Sequence, residues 1–479
     1  MTAFLISIAV LIGGYFVYGL IAEKIFGTDP SRPTPAMTRP DGVDFVPLPT
    51  WRVFLIQFLN IAGLGPIFGA IMGVMFGPAA FIWIVAGTIL GGAVHDFISA
   101  MMSLRHDGES LPELIGRELG PVVKQILRIG SVVLLVLVGA VFIITPAGLL
   151  AGMTPAWADS IFWVSVIFLY YALATILPVD KLIGRFYPVF GFALLFMAGG
   201  LLAVLLSGSV TIPDGFSDGL YSRYGDSGHP VFPMMFVSIA CGAISGFHAT
   251  QSPMMARCLK NERLARPVFY GAMVAEGLVA LVWAAAAIAF TGGYDQLREY
   301  MAFHSGAGAL VHDISITWLG AFGGFLALLG VIVAPITTGD TALRSARLII
   351  ADFMHIDQAK FTKRLLVSIP IFAATFGLMM IDFNVLWRYF AWSNQTLAAF
   401  TLWGATVYLA RHGKAYAICL VPALFMTMVV VSYIFFAPSP EGFGLGLTVA
   451  AGVAALVDLV ALVLFFRYLR VRRPDPVKS

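Results

Sequence analysis

"SGFHATQSP", residues 245–253, interrupts one of the most apolar parts of the chain. Met234 to Ile244 before it is almost wholly apolar, and Met254-Met255-Ala256 follows directly. Between them stand a histidine, a glutamine, three hydroxyl residues, a glycine and a proline. Glycine loosens a helical backbone, and proline removes a donor and clashes with the preceding turn. The stretch therefore reads as a break inside a helix, lined by side chains suited to polar ligands.

The composition says which solvent surrounds that break. Of 479 residues, 59% are hydrophobic and only 11% charged, against roughly 25% charged in soluble domains. The chain is an integral membrane protein. Apolar runs of about 20 residues are candidate spans, and about thirteen occur, near 3–22, 52–76, 79–103, 124–145, 158–177, 186–207, 231–256, 268–290, 316–343, 365–381, 385–409, 415–436 and 445–467. Strands are excluded, since no ten-residue alternating pattern appears. Ala3 to Ala22 lacks a basic leader and a small-residue cleavage site, so it reads as a retained span.

With these spans, 26 of the 29 Lys and Arg residues fall on one side of the membrane, and only Arg223, Arg298 and Arg388 on the other. The positive-inside rule then puts the N-terminus outside and the C-terminus inside a cytoplasmic membrane. The basic residues serve topology, and no nucleic-acid partner is expected. The longest loop, 23–50, has six prolines and reads as an irregular connection. No phosphate-binding GxxxxGK[ST] loop is present, which argues against ATP-driven pumping. Cys241, Cys258 and Cys419 form no spaced pairs, so neither a disulfide framework nor a metal-thiolate site is expected.

A second break precedes the first. "NIAGLGPIFGAIMG", residues 60–73, puts Gly63, Gly65 and Pro66 in mid-membrane. The two breaks are five spans apart, and an odd-numbered unit must restart on the opposite face. Two inverted five-span repeats follow, over 51–207 and 231–409, each opening with a discontinuous helix. Residues 1–50 add one span and the Pro-rich loop, and 415–479 add two spans and a basic tail. Such repeats mark secondary transporters with a midplane site. Each break also exposes a half-helix N-terminus, whose N–H groups and dipole favour an anion such as a carboxylate. Asn60, Gly63, Gly65 and Pro66 in the first break, and Ser245, Gly246, His248, Thr250 and Gln251 in the second, are the candidate substrate residues.

Ionisable groups in the membrane cost about 2.5–3.5 kcal/mol each on insertion scales, so each is a functional candidate. His95 and Asp96 lie in the third span; as neighbours in a helix they point to different faces and are not expected to form a dyad. His248 reads as a satisfied packing histidine or as a cavity-lining residue able to sense or carry a proton. Glu276, midway along the eighth span, reads as a proton relay or as a neutral interhelical hydrogen-bonding group. Asn394 and Gln395 in the eleventh span read as interhelical glue or as substrate contacts. Asp458, outside both repeats, reads as structural.

Several segments resemble the carbon starvation protein A (CstA) family. They are "GVDFVP" (42–47), "IAGLGPIFG" (61–69), "GGAVHDF" (91–97), "SLRHDGESL" (103–111), "CGAISGFHATQSP" (241–253), "GAMVAEGLVAL" (271–281), "TTGDTALRSAR" (337–347) and "LWRYFAWSNQTLA" (386–398). The resemblance runs from about residue 3 to 436. The chain is shorter than the long members and carries His95 where those have glutamine. The resemblance implies import of peptides or pyruvate during carbon starvation, with a cation as the coupling ion. It also implies kinship with amino acid–polyamine–organocation transporters, whose LeuT-like core is a five-plus-five inverted repeat. In that architecture the helix equivalent to the ninth span supplies adjacent hydroxyls to sodium. Thr337 and Thr338 match in type and depth, and Asp340 adds a carboxylate that suits a proton equally well. No cofactor, resident metal or enzymatic activity is expected. The rival readings are an ion or solute channel and a membrane nutrient sensor. The oligomeric state is not set by these features.

Overall fold

The computed structural model describes residues 1–42, 45–176, 179–226, 228–304, 306–356 and 361–471. The basic tail at 472–479 and Lys360 lie outside the described residues. All regular structure among the described residues is helical. In bilayer hydrocarbon only intrasegment hydrogen bonding satisfies the backbone of a single span, and helices achieve that.

In chain order the helices are α1 (Thr2–Phe26), α2 (Thr50–Ile61), α3 (Gly65–Val74), α4 (Ala79–Arg105), α5 (Leu111–Leu119), α6 (Pro121–Met153), α7 (Ser160–Ile176) and α8 (Val179–Leu206). Then come α9 (231–238), α10 (His248–Ala256), α11 (Glu262–Thr291), α12 (Tyr294–Phe303), α13 (Ala307–Phe353), α14 (Phe361–Leu378), α15 (Phe383–Arg411), α16 (Ala417–Phe436) and α17 (Leu447–Val471). Among the described residues, eight helices are long and apolar enough to cross a membrane, nine if α2 and α3 count as one bent span.

Burial sorts them. The apolar windows of α4, α6, α11 and the Ala327–Phe353 part of α13 are 78–83% buried, whereas those of α1, α14 and α17 are 17–28% buried. The first group forms the core. The second turns leucine, valine and phenylalanine outward, for example Phe16, Val17, Leu459 and Leu464, as suits a hydrocarbon solvent. α13 packs along α6 and α8, and Gly139 of α6 permits the close approach of Leu343.

The ninth apolar helix differs from the expected 316–343. The helix is kinked at Gly320 and continues past the expected end to Phe353. The expected end fell at the charges of Asp340, Arg344 and Arg347. These are instead buried and engaged by protein, as where Arg344 Nη2 donates to the Ala174 carbonyl at 2.5 Å. Helices α5 and α12, amphipathic and short, had not been expected as separate elements.

Candidate functional site

The two interruptions lie against each other in the core. α2 and α3 meet at a 55° bend over residues 62–64. A Cβ on Gly65 would strike the Cys241 side chain, and one on Gly69 would come within 3.0 Å of the Ser238 carbonyl. Gly242 has φ +89°, a left-handed conformation that glycine adopts without a side-chain clash. Glycine thus serves this region by letting two unwound backbones touch.

Unwound backbone at this depth needs partners, and named side chains supply them. Trp83 Nε1 and Thr88 Oγ1 of α4 donate to the carbonyls of Ile239 (3.3 Å) and Gly242 (3.0 Å). Glu276 Oε1 of α11 accepts the Gly242 N–H at 3.1 Å. Asn394 of α15 holds the entry to α10. Its Oδ1 accepts the Ser245 hydroxyl (3.0 Å) and the Phe247 N–H (2.6 Å), and its carbonyl accepts the Gly246 N–H (3.1 Å). The N–H groups of His248, Ala249 and Thr250 bond back to Ser245, Gly246 and Phe247. The N-terminus of α10 therefore has its first donors spent on protein. The expectation that this break offers an anion-binding helix end is corrected: Asn394 takes the place an anion would need.

Asp96, His95, His248 and Glu276 form one buried network. His95 Nδ1 lies 2.8 Å from Asp96 Oδ1, and His248 Nδ1 lies 3.0 Å from Asp96 Oδ2. The expectation that His95 and Asp96 would not pair is overturned, because the aspartate's two oxygens bridge a neighbour on α4 and a residue on α10. With both imidazoles donating from Nδ1, each Nε2 carries a lone pair. His248 Nε2 faces Glu276 Oε2 at 3.4 Å, and neither atom has a hydrogen bond among the described residues. A single proton between these two atoms would complete the contact.

The other candidates divide. Asn60 is fully buried, and neither its Oδ1 nor its Nδ2 has a hydrogen-bond partner among the described residues. Gln251 donates to Thr250 Oγ1 (2.9 Å), and Gln395 donates to the Phe236 carbonyl (2.5 Å); each leaves its Oε1 unbonded there. Thr250 bonds back to Phe247. Thr338 Oγ1 reaches the Leu59 carbonyl at 3.2 Å beside the first break, and also Ala334. Thr337 bonds back along α13. Asp340 pairs with Arg344 at 3.8 Å. Asp458 is buried in α17, which is largely exposed to the surroundings.

Several contributors had drawn no notice in the sequence: Trp83, Thr88, and the Gln57–Ser252 pair, whose amide and hydroxyl meet at 3.1 Å between α2 and α10; Cys241 had been given no site role. Gln57 carried a signal, a lone amide one turn before Asn60. Trp83 and Thr88 carried none, since both suit an apolar helix.

A cavity of about 980 Å³ opens on the side that holds Arg223, Arg298 and Arg388. Met72, Thr145, Leu149, Tyr224, Arg298 and His312 are among its walls, as is Phe68, three residues beyond Gly65, whose ring packs on Trp387. The opposite, basic side is tied by ion pairs. Arg105 clamps Glu262 with two 2.8 Å contacts, Arg266 meets Glu23 at 2.7 Å, and Arg411 meets Glu118 at 3.1 Å. On α5, burial pushes the Glu113 carboxyl up, but Lys124 and Arg128 outweigh it and hold the group below its ordinary value.

Interrupted helices packed around a buried polar network, with a cavity on one face and ion pairs on the other, belong to a multi-pass membrane protein. A manganese transporter from Eremococcus coleocola shares the fold, with a TM-score of 0.56 at 13% identity over 90% of this chain and 99% of that one. The carbon starvation protein CstA family model matches residues 1–164, 153–302 and 297–433, and the chain belongs to that family. An uncharacterized membrane protein of Haemophilus influenzae is 44% identical over 62% of this chain and 94% of its own. Two Escherichia coli relatives, the peptide transporter CstA and the pyruvate/proton symporter BtsT, are each 28% identical over 63% and 58% of this chain. This chain spans about half of their length, 52% and 47% respectively.

Proposed function

We propose that the protein is a secondary transporter that imports a small carboxylate-bearing nutrient, a short peptide or pyruvate, across the cytoplasmic membrane together with a proton. The observation that carries this reading is the chain Asp96–His248–Glu276. It links α4, α10 and α11 and ends in a histidine nitrogen and a carboxylate oxygen 3.4 Å apart, which one proton would join. A proton arriving there neutralises charge beside both breaks and alters the bond that Glu276 makes to Gly242. Coupling by sodium at Thr337 and Thr338 is the alternative reading: both hydroxyls donate to backbone carbonyls and keep their oxygen lone pairs for a cation.

Substrate enters from the vestibule, drawn toward Arg298, and passes Phe68. Its carboxylate meets the first break, where the Asn60 amide has no protein partner among the described residues. Thirteen spans with two inverted five-span repeats, the N-terminus outside and the C-terminus inside, make this side the exterior and the ion-paired side the cytoplasm. The relatives' names support peptides and pyruvate as substrates and carbon starvation as the setting.

The test is uptake into proteoliposomes. Labelled pyruvate and a panel of di- and tripeptides are offered under an inward proton gradient, an inward sodium gradient, or neither. Saturable accumulation driven by the proton gradient is expected. Passive equilibration insensitive to both gradients would leave a channel, and accumulation driven by sodium alone would discard the Asp96–His248–Glu276 path.

A further inference from the structure

The same break holds a donor set that proton coupling leaves unexplained. Cys241 Sγ, one ring nitrogen of His248 and one carboxylate oxygen of Glu276 lie within 4.8 Å of one another, all three residues buried. Three elements supply them: the unwound segment after α9, the start of α10, and the middle of α11.

Each donor is already oriented by an outer partner, and that partner leaves a lone pair free. Asp96 Oδ2 takes the Nδ1–H of His248, so Nε2 is the ligating nitrogen. The Gly242 N–H fixes Glu276 Oε1, so Oε2 is the ligating oxygen. Asn394 Nδ2 donates to Cys241 Sγ at 3.4 Å, the kind of bond that steadies a thiolate. His248 Nε2 and Glu276 Oε2 are fully buried and without hydrogen-bond partners among the described residues. Carboxylate–histidine pairs of this kind are the usual outer support of a metal-bound imidazole.

We propose that Cys241, His248 and Glu276 bind a single borderline-soft divalent cation of the zinc type. Tetrahedral Zn²⁺ with bonds of about 2.0–2.3 Å puts neighbouring ligand atoms roughly 3.3–3.6 Å apart. The His248–Glu276 distance of 3.4 Å is already at that spacing. Thiolate, imidazole and carboxylate together select zinc over magnesium, calcium or manganese, which prefer all-oxygen shells. Binding releases the Cys241 thiol proton and the proton shared between His248 and Glu276. Three protein ligands leave the fourth position to water. The cation and the coupling proton compete for the same two atoms, so occupancy arrests proton-coupled uptake; only this last consequence rests on the proton reading above.

The purified full-length chain in detergent is titrated with Co²⁺ alone and then with Zn²⁺. One equivalent of Co²⁺ with a thiolate-to-cobalt charge-transfer band is expected, displaced by Zn²⁺. Cys241→Ser loses the band, and a Cys258→Ala/Cys419→Ala chain keeps it. Asp96→Asn, by removing the imidazole's outer support, weakens zinc about 10–100-fold. A band that survives Cys241→Ser, or no saturable binding, overturns the proposal. If Cys241→Ser does not fold, alkylation of Cys241 in the Cys258→Ala/Cys419→Ala chain decides. Protection by Zn²⁺ supports the site, and an unchanged rate overturns it. Zinc binding without inhibition of uptake keeps the metal site and counts against the proton path instead.

Discussion

His248 Nδ1 stands 3.0 Å from Asp96 Oδ2, joining residues 152 positions apart. The contact fastens the second broken helix to α4 through one ionisable pair. The remaining ring nitrogen of His248 then faces Glu276, with Cys241 close by. The second broken helix and the buried ionisable network therefore meet at one imidazole.

Glu276→Gln keeps an acceptor for the Gly242 N–H but removes the carboxylate facing His248. Melting temperature and membrane abundance should stay near the parent's. Proton-driven accumulation should vanish while substrate exchange persists. His248→Ala is a harsher change, because it removes the imidazole that joins Asp96 to Glu276 and leaves Asp96 with His95 alone, at a cost of about 3–5 kcal/mol. It should appear mainly as lost folded protein. Parental accumulation by Glu276→Gln would make Glu276 a structural cap alone.

Asn394→Ala strands the Phe247 N–H and the Ser245 hydroxyl inside the core, each costing about 1–3 kcal/mol. Asn394→Asp keeps the Oδ acceptors and should recover most of the loss. Scanning fluorimetry of both variants reads the difference. Equal melting of Asn394→Ala and parent would remove the residue from its capping role.

Gly246→Ala puts a methyl group into the Asn394 carbonyl and the Ala398 backbone nitrogen, an overpacking that typically costs about 1–3 kcal/mol. Gly13→Ala in α1 meets open space and should be neutral or stabilise by up to about 1 kcal/mol. The two melting curves, measured side by side, should shift in opposite directions or only the first should move.

Glu262→Gln weakens the Arg105 clamp that closes the basic face. Each 1.4 kcal/mol of closure lost raises the population open to that side about tenfold. Alkylation of the half-buried Cys258 in inside-out vesicles should quicken accordingly. An unchanged rate would mean that the clamp does not hold the closed state.

Orientation is checked with single cysteines at two exposed positions, Ser217 and Ser31. In a cysteine-free chain, Ser217→Cys should react with an impermeant reagent in whole cells and Ser31→Cys should not. The reverse pattern inverts the vestibule and the closed face.

Much of this molecule is legible along the chain. The 11% charge and the apolar runs require a bilayer, because burial of charge in hydrocarbon is costly wherever it occurs. Glycine and proline signal both breaks locally, but the second lies earlier than the expected Gly246–Pro253: the chain is unwound over residues 239–247, and the helix that resumes at His248 carries Pro253 inside it. What no local rule contains is which polar groups meet. Period and spacing set His95 and Asp96 on different helix faces, yet the two oxygens of one aspartate bridge His95 to an imidazole 152 residues away. Spacing gave Cys241 no partner, but the crossing of two unwound segments sets its sulfur beside His248 and Glu276. Asn394 held two readings in the sequence, and three bonds from the second break decide between them. Hydrogen-bond satisfaction in a solvent without water is a property of the packed structure. It assigns each buried donor an acceptor wherever the fold brings one, and only the tertiary arrangement says where that is.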